Sequence, residues 1–381
     1  MIREKIGTKE NIVNLFSHPN NCSNVCYLPW TLEQTVKHYI SQSIQRDGYN
    51  TTSLTITVSG NDVFLESDGE TFSGEYLKNL IKFLEIGLLG FDLSIKRNNV
   101  KKWKANWRFL LPLGISIFNH KTIEMMDFPP VSLVLEKQDY LNSKTSDRWS
   151  ELLLLNGADK IDLEKFESIL DIVPIAAPAG DGAILDQEGV YNGDFDGYTL
   201  SLLDFFSKTS DPLIGKPLVA FGAPIRQWLK RKYGLSLNVL TVGTFKLDNN
   251  RTISTIGSNH PAFIFYAGHK FICEPDKDKL NFELAFKVMQ QDLIVAQWQV
   301  EMGSKPASDP KAVLAKCKTN WANRPSEIED LVNRQVYGKT ITRELQEYAR
   351  SLATETDFKF NEKFLQEIEK NAPLELLKRD W

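Results

Sequence analysis

At 381 residues the chain is long for a single hydrophobic core, and its 42% hydrophobic and 25% charged content is that of an ordinary soluble globular protein. A net charge of −4 excludes a uniformly basic coat, so any contact with nucleic acid has to come from local patches. The charged N-terminus MIREKIGTKENIVNLF, the lack of any run of about 18 apolar residues, and only four cysteines (Cys22, Cys26, Cys273 and Cys317) exclude a signal peptide, a membrane span and a disulfide scaffold, so a reduced, cytoplasmic protein is expected.

Residues 1–50 read as loop plus helix, with Thr31 placed as the N-cap of LEQTVKHYISQSIQ and Pro29 stopping whatever precedes it. The spacing of His18, Cys22, Cys26 and His38 matches no familiar zinc loop, and no metal is expected there. Leu54, Ile56 and Val58 alternate with Thr55 and Thr57. A turn at Gly60-Asn61-Asp62 then leads into Val63-Phe64-Leu65, the pattern of a hairpin. Tyr76 to Leu89 has Leu77, Leu80, Ile81 and Leu84 at helical spacing.

Six cations, Lys96, Arg97, Lys101, Lys102, Lys104 and Arg108, fall within thirteen residues that hold no acid, interleaved with Trp103 and Trp107. Such a stretch is either a nucleic-acid surface, with cations on phosphates and rings on bases, or a solvated segment whose tryptophans point into the core. Residues 110–135 carry apolar runs broken by Pro112 and Pro129-Pro130, and residues 136–150 are polar.

From 151 the pattern is helical up to a strand at Ile169–Ile175, and the stretch 171–266 then alternates strand, loop, helix and strand. Leu218–Phe221 reads as a strand ending at Gly222-Ala223-Pro224. The next helix carries Arg226, Lys230, Arg231 and Lys232 around Trp228, four cations that meet either phosphate or solvent. Thr252–Ile256 reads as a further strand. Phe282–Met302 and a stretch opened by Pro325 are helical, which makes the C-terminal third a helical region. The expected organisation is an N-terminal α+β accessory region (1–150), an α/β core with a parallel sheet (151–275) and a helical region (276–381). No internal repeat or low-complexity segment interrupts it.

Two loops in the middle region carry the chemistry. Ala177-Pro178-Ala179-Gly180 is built of small residues, which let a flat ligand approach backbone amide donors. Asp181, Asp186, Asp194 and Asp196 crowd the segment after it, either as acids that orient water or as ordinary turn residues. Tyr191 and Phe195 place aromatic rings among them. In the second loop, His260 stands between Asn259 and Pro261, and the proline pushes it into an extended, defined direction. If the two apolar runs are neighbouring parallel strands, both loops open on one crevice.

Taken in order, IAAPAGDG, GVYNGDFDG, LVAFGA and SNHPAF resemble the uracil-DNA glycosylase superfamily, in the branch whose first motif reads A-P-A and whose second contains H-P. The resemblance covers about 100 of the 381 residues. It implies a three-layer αβα core and a DNA glycosylase that cleaves the N-glycosidic bond of a flipped base, in duplex or single-stranded DNA. Such a protein would need no cofactor and no iron–sulfur cluster. It also implies one more strand between the first motif and Leu218, which the sequence pattern does not place.

By this resemblance His260 bonds the base oxygen, Asn259 positions it, and Asp194, or in second place Asp181, orients the water. Ala177, Pro178, Ala179 and Gly180 surround the base, Tyr191 or Phe195 stacks on it, and Phe263, Phe265 or Tyr266 fills the vacated space. Arg226, Lys230, Lys101, Lys102 and Trp103 hold the DNA. No lysine stands in either motif for a Schiff base, so a monofunctional enzyme leaving an abasic site is expected. The small first loop would admit a base bulkier than uracil, such as a modified pyrimidine of a phage genome, which would suit antiviral defence. The competing expectations are a non-catalytic nucleic-acid-binding protein and a small-molecule α/β hydrolase, though no G-x-S-x-G elbow is present for the latter.

Overall fold

A computed structural model of the chain describes residues 2–16, 31–68, 74–100, 107–112, 116–129, 168–177, 181–238, 242–258 and 260. The chain divides into two compact units, one of Met1–Ser143, Lys160–Leu235 and Thr244–Ser254, the other of Lys144–Asp159, Ser236–Gly243 and Thr255–Trp381.

The first unit opens with a three-stranded antiparallel sheet. Strand β1 (Ile2–Thr8) leads into helix α1 (Lys9–Phe16) and, further on, α2 (Leu32–Arg46). Thr31 is the N-cap of α2 as expected, and forms a full capping box: its hydroxyl accepts from Gln34 N–H while the Gln34 side chain accepts from Thr31 N–H. The predicted hairpin is β2 (Thr55–Ser59) and β3 (Asp62–Ser67), with Ser59 opposite Asp62 and Gly60 at φ +62°, a glycine in the first position of a two-residue turn. β3 lies between β1 and β2 and buries Val63 and Leu65 on one face.

Helix α3 (Gly74–Val100) buries Leu77, Leu80 and Leu84 of the expected set, leaves Ile81 only partly buried, and adds Phe83 and Phe91 to the core. It crosses a later helix so closely that a Cβ at Gly90 would stand 2.6 Å from the Tyr198 ring.

Two short strands follow, β4 (Arg108–Phe109) and β5 (Ile123–Met126), then β6 (Ile169–Asp171) and β7 (Ile175–Ala176). Helix α4 (Gly182–Asp186) runs on into a π-helical segment (Gln187–Asn192). Helix α5 (Asp196–Phe206), strand β8 (Leu218–Phe221), helix α6 (Gly222–Tyr233) and the hairpin β9 (Val242–Lys246) with β10 (Thr252–Ser258) complete the described elements.

These give an α/β fold with a mixed, mostly parallel five-stranded sheet in the order β6-β5-β8-β10-β9. β5 is parallel to β6, with Glu124 opposite Ile169, and parallel to β8, with Ile123 opposite Leu218. A parallel bridge from Ile214 to Thr252, just ahead of β8, gives β10 the same direction. All four residues of β5 and of β8 are buried, as parallel strands covered on both faces require.

Three expectations are corrected here. The boundary near residue 150 does not divide the described residues, because β5, from before it, lies inside the sheet between β6 and β8, from after it. The single strand Ile169–Ile175 is two strands. Ile172 and Val173 bond the carbonyls of Met126 and Asp127, and a tight turn over Pro174, with Ile175 N–H on Val173 O, redirects the chain. β7 then pairs antiparallel with β4, outside the five-stranded sheet, so the A-P-A loop does not follow a strand of that sheet.

The approach to β5 is fixed by one buried carboxylate. Asp47, at the end of α2 and 3% exposed, accepts from the Tyr76 and Ser116 hydroxyls and from the backbone N–H groups of Ile117, Phe118 and Asn119. Five donors on one carboxylate anchor the turn that delivers the chain to β5. Among the described residues, no helix is long and apolar enough to cross a membrane.

Candidate active site

The order of the strands decides where a site can form. From β5 the chain moves to its neighbour β6 on one side, then returns across the sheet to β8 on the other. Loops leaving the carboxyl ends of β5 and β8 therefore diverge, the topology at which open α/β sheets form a crevice.

Asp127-Phe128-Pro129 follows β5 there. Asp127 Oδ1 accepts the N–H of its own neighbour Phe128 at 2.6 Å, Asp127 O accepts from Val173 N, and Pro129 O accepts from Ala177 N at 3.2 Å. Ala177, fully buried, thus supports the loop after β5 through its backbone. Opposite the Phe128 ring lies Gly182 at the start of α4, where an added Cβ would sit 3.5 Å from the ring edge. α4 ends in Asp186. On the β8 side, α6 starts directly at Gly222, whose φ of +85° turns the chain from strand into helix, and its first turn holds no acid.

The acids around this crevice differ sharply in their surroundings. Burial, then the negative charge of Asp186, pushes the Asp127 carboxyl up to about 7, and burial pushes Asp186 up as well. Asp186 Oδ1 is buried with no hydrogen-bond partner among the described residues. Asp181, expected as a second-choice catalytic acid, is 8% exposed and accepts the Trp107 indole N–H at 2.6 Å. Trp107 therefore points into the core, not toward a base. Asp194 is half-buried and its N–H closes a turn onto Glu188 O at 2.9 Å.

Asp196 is the centre of a separate knot. Arg231 donates to both of its oxygens at 2.8 and 2.6 Å, Trp228 Nε1 donates at 2.9 Å, Lys232 lies 3.8 Å away, and Arg231 Nε donates on to Val190 O. Burial alone would raise the Asp196 carboxyl, but the bonds from Arg231 and Trp228 and the charges of Arg231 and Lys232 outweigh it and hold the group below the usual carboxylate range. Gly193, at φ +71°, fits under this knot; a Cβ there would stand 2.7 Å from Arg231.

Two aromatic expectations separate. Tyr191 is 59% exposed, as a stacking ring must be, whereas Phe195 is 1% exposed and belongs to the core, so it does not stack on a ligand. On α6, Arg226 is half-buried, with burial lowering its proton affinity, and Lys230 is exposed. Arg231 and Lys232 are held by Asp196 and do not form the free phosphate-binding face read from the sequence.

His260, two residues beyond β10, belongs to the second unit; it is half-buried, and burial pushes its imidazole down to about 4, so the ring is neutral at pH 7. Asn259, Pro178, Ala179, Gly180, Phe263, Phe265, Tyr266, Lys101, Lys102 and Trp103 lie outside the described residues, as does the helical region 276–381. Among the described residues, no three His, Cys, Asp or Glu side chains converge as metal ligands.

Sequence reasoning missed Asp127 altogether and left Asp186 without a role. The signal was present as Ile123-Glu124-Met125-Met126, a four-residue run closed by an acid and then by Pro129-Pro130. Glu124 in its middle masked it as a strand. Comparison of the chain with family models, with curated proteins and with solved structures finds no match.

Proposed function

We propose that the chain is a monofunctional DNA glycosylase that hydrolyses the N-glycosidic bond of a flipped base and leaves an abasic site. The observation that carries this reading is the position of Asp127 at the carboxyl end of β5, between β6 and β8. With Asp127–Pro129 as the first post-strand loop, β6 becomes the strand that the resemblance requires between that loop and Leu218–Phe221, and β10 leads into Ser258-Asn259-His260-Pro261. The water-orienting acid is then Asp127 in place of Asp194 or Asp181. The finer architecture of this reading is a three-layer αβα core with N-terminal α+β and C-terminal helical regions, in a cytoplasmic protein.

In the reaction, negative charge builds on the departing base and positive charge on the sugar. A neutral His260 has an N–H to donate to the base oxygen, oriented by Asn259, without bringing a proton of its own. Water bonds to the sugar carbon as the glycosidic electron pair leaves with the base, and Asp127 takes the water's proton. Tyr191, already exposed, stacks on the flipped base. The base is uracil or a bulkier modified pyrimidine, the latter in keeping with a role in defence against phage.

A second reading, a small-molecule α/β hydrolase using the same crevice, is favoured by one observation: residues 181–197 hold five acids and no Lys or Arg, a poor surface for phosphates. Base release from duplexes and single strands carrying uracil, hypoxanthine, or hydroxymethylated or glucosylated cytosine, scored by alkaline strand cleavage, separates the two. Wild type is expected to release one of these bases, with Asp127→Asn and His260→Ala each slower by about 100-fold or more. No abasic site on any substrate, together with DNA binding that does not respond to salt, overturns the glycosylase reading.

A further inference from the structure

Just ahead of the amino ends of β5 and β8, two bases share one hydrogen-bonding position. His120, 2% exposed, precedes β5, and the half-buried Lys216 precedes β8. His120 Nε2 lies 3.0 Å from Phe206 O, at the last residue of α5, and 3.3 Å from Lys216 Nζ, which also donates to Phe118 O at 2.8 Å. Lys216 N donates to Ser207 O at 3.0 Å, so the same few residues join the end of α5 to the entries of both strands. A carbonyl only accepts and an ammonium only donates. One ring nitrogen cannot serve both: with a proton it suits Phe206 O and opposes the ammonium, and without one it suits the ammonium and opposes the carbonyl. The charged and titratable groups around the two bases are engaged elsewhere. Asp47 holds its five donors, Tyr76 among them, Asp204 is paired with Arg251, Lys208 lies over the Phe205 ring and Lys121 is exposed.

We propose that Lys216 and His120 form a one-proton latch on α5: while Lys216 is an ammonium the imidazole carries its proton on Nδ1, and when Lys216 is an amine the imidazole carries it on Nε2 and donates it to Phe206 O. The exchange balances with a single proton lost. Lys216 passes a proton to Nε2 across the 3.3 Å contact and Nδ1 gives its own to water, which leaves both bases neutral. The amine still donates to Phe118 O, so the turn before β5 keeps its tie to β8 in either state. What changes is Phe206 O at the end of α5, which gains a donor at high pH and faces a bare nitrogen at low pH. Burial brings the change into an accessible range, since it pushes Lys216 down to about 8 against the charge of Asp47. Burial, then the charge of Lys216, pushes His120 well below its ordinary range, over the opposing influence of the Phe206 and Ser116 backbone, so the ring stays neutral throughout. The latch lies at the opposite end of the strands from the crevice and does not rest on the glycosylase reading.

The test uses the full chain labelled with ¹⁵N-histidine, both ring nitrogens being followed by NMR from about pH 6 to about pH 10, with His120→Gln identifying the His120 signals. In wild type the proton is expected on Nδ1 below about 8 and on Nε2 above it. Lys216→Met removes the ammonium and should hold the proton on Nε2 at every pH, whereas Lys216→Arg keeps the charge and should hold it on Nδ1. Stability gives a second measure. An ammonium displaced down to about 8 in the folded chain but titrating near its ordinary value when unfolded is a burden below about 8 that lifts as pH rises toward about 10, so the urea midpoint of wild type should climb over that range relative to that of Lys216→Met. A wild-type ring whose proton stays on one nitrogen across the range overturns the proposal, as does a tautomer change at the same pH in Lys216→Met. Should neither variant fold, the wild-type titration decides alone.

Discussion

Asp47 and Asp196 on one side, and Asp127 and Asp186 on the other, are the same side chain in one folded unit put to opposite uses. Asp47 receives five donors and Asp196 receives an arginine fork and an indole, so each is fixed in place as part of the scaffold. Asp127 has the N–H of its neighbour, and one Asp186 oxygen has no partner among the described residues. A carboxylate saturated with donors has no lone pair left for water. One short of donors has an unmet need that a water or a substrate can fill. The contrast predicts that damage at the first pair appears as lost stability and damage at the second as altered proton chemistry.

The largest effect is expected at Asp47. Asp47→Ala strands the hydroxyls of Tyr76 and Ser116 and three backbone N–H groups in the interior, at a cost of about 4 kcal/mol in urea denaturation. A loss under about 1 kcal/mol would show that the turn into β5 is held by something else. Next comes the Asp196 knot. Gly193→Ala forces a Cβ against Arg231 at a positive φ, and Arg231→Ala leaves Asp196 and Val190 O without their main donors; each should cost about 2 kcal/mol. Both variants should keep the wild-type pH profile of base release, since neither touches Asp127.

How much of this was legible in the sequence follows the same divide between local and distant partners. Thr31 as a helix cap, or Gly60 between two alternating runs, is read correctly because all the interacting groups lie within a few residues. β5 is not, since Ile123-Glu124-Met125-Met126 is a strand only by virtue of Ile169–Asp171 and Leu218–Ala220, far along the chain. The site suffers likewise. Asp196 reads as available in the sequence, whereas Arg231, 35 residues on, is bonded to it, and the crowd of acids at 181–196 gives no hint that the charge of Asp186 would act on an acid from before residue 150. Tyr191 stays exposed in a polar, glycine-rich neighbourhood, whereas Phe195, four residues later, is taken into the core by the start of α5.

At the donor-poor pair, stability should respond to pH in the opposite sense from an ordinary ion-paired aspartate. The Asp127 carboxyl titrates near 7 in the folded chain and near 4 when unfolded. Its contribution to stability is therefore fully present below about pH 4 and is lost progressively as pH rises through 7. Asp127→Asn removes that loss, so it should stabilise the chain by on the order of 2 kcal/mol at pH 8 and by almost nothing at pH 4, measured by denaturation at each pH. Equal effects at the two pH values would mean that the carboxyl is not displaced at all. Tyr191→Ala, by contrast, removes an exposed ring and should change stability by less than about 0.5 kcal/mol, while raising KM for base release through lost stacking.

The smallest expected effect tests whether Lys230, which lies outside the Asp196 knot, meets DNA. Lys230 is exposed on α6, whereas Arg231 and Lys232 beside it are paired with Asp196. A lysine that binds one phosphate releases its condensed counterion, so Lys230→Ala should reduce the slope of log K against log salt by about 0.9 for duplex DNA without altering the fold. Lys232→Ala should leave that slope nearly unchanged, because its charge is already satisfied within the protein. If the two variants lower the slope equally, Asp196 does not withdraw Lys232 from the surface, and the division between structural and available charges fails on α6 even if it holds at the carboxylates.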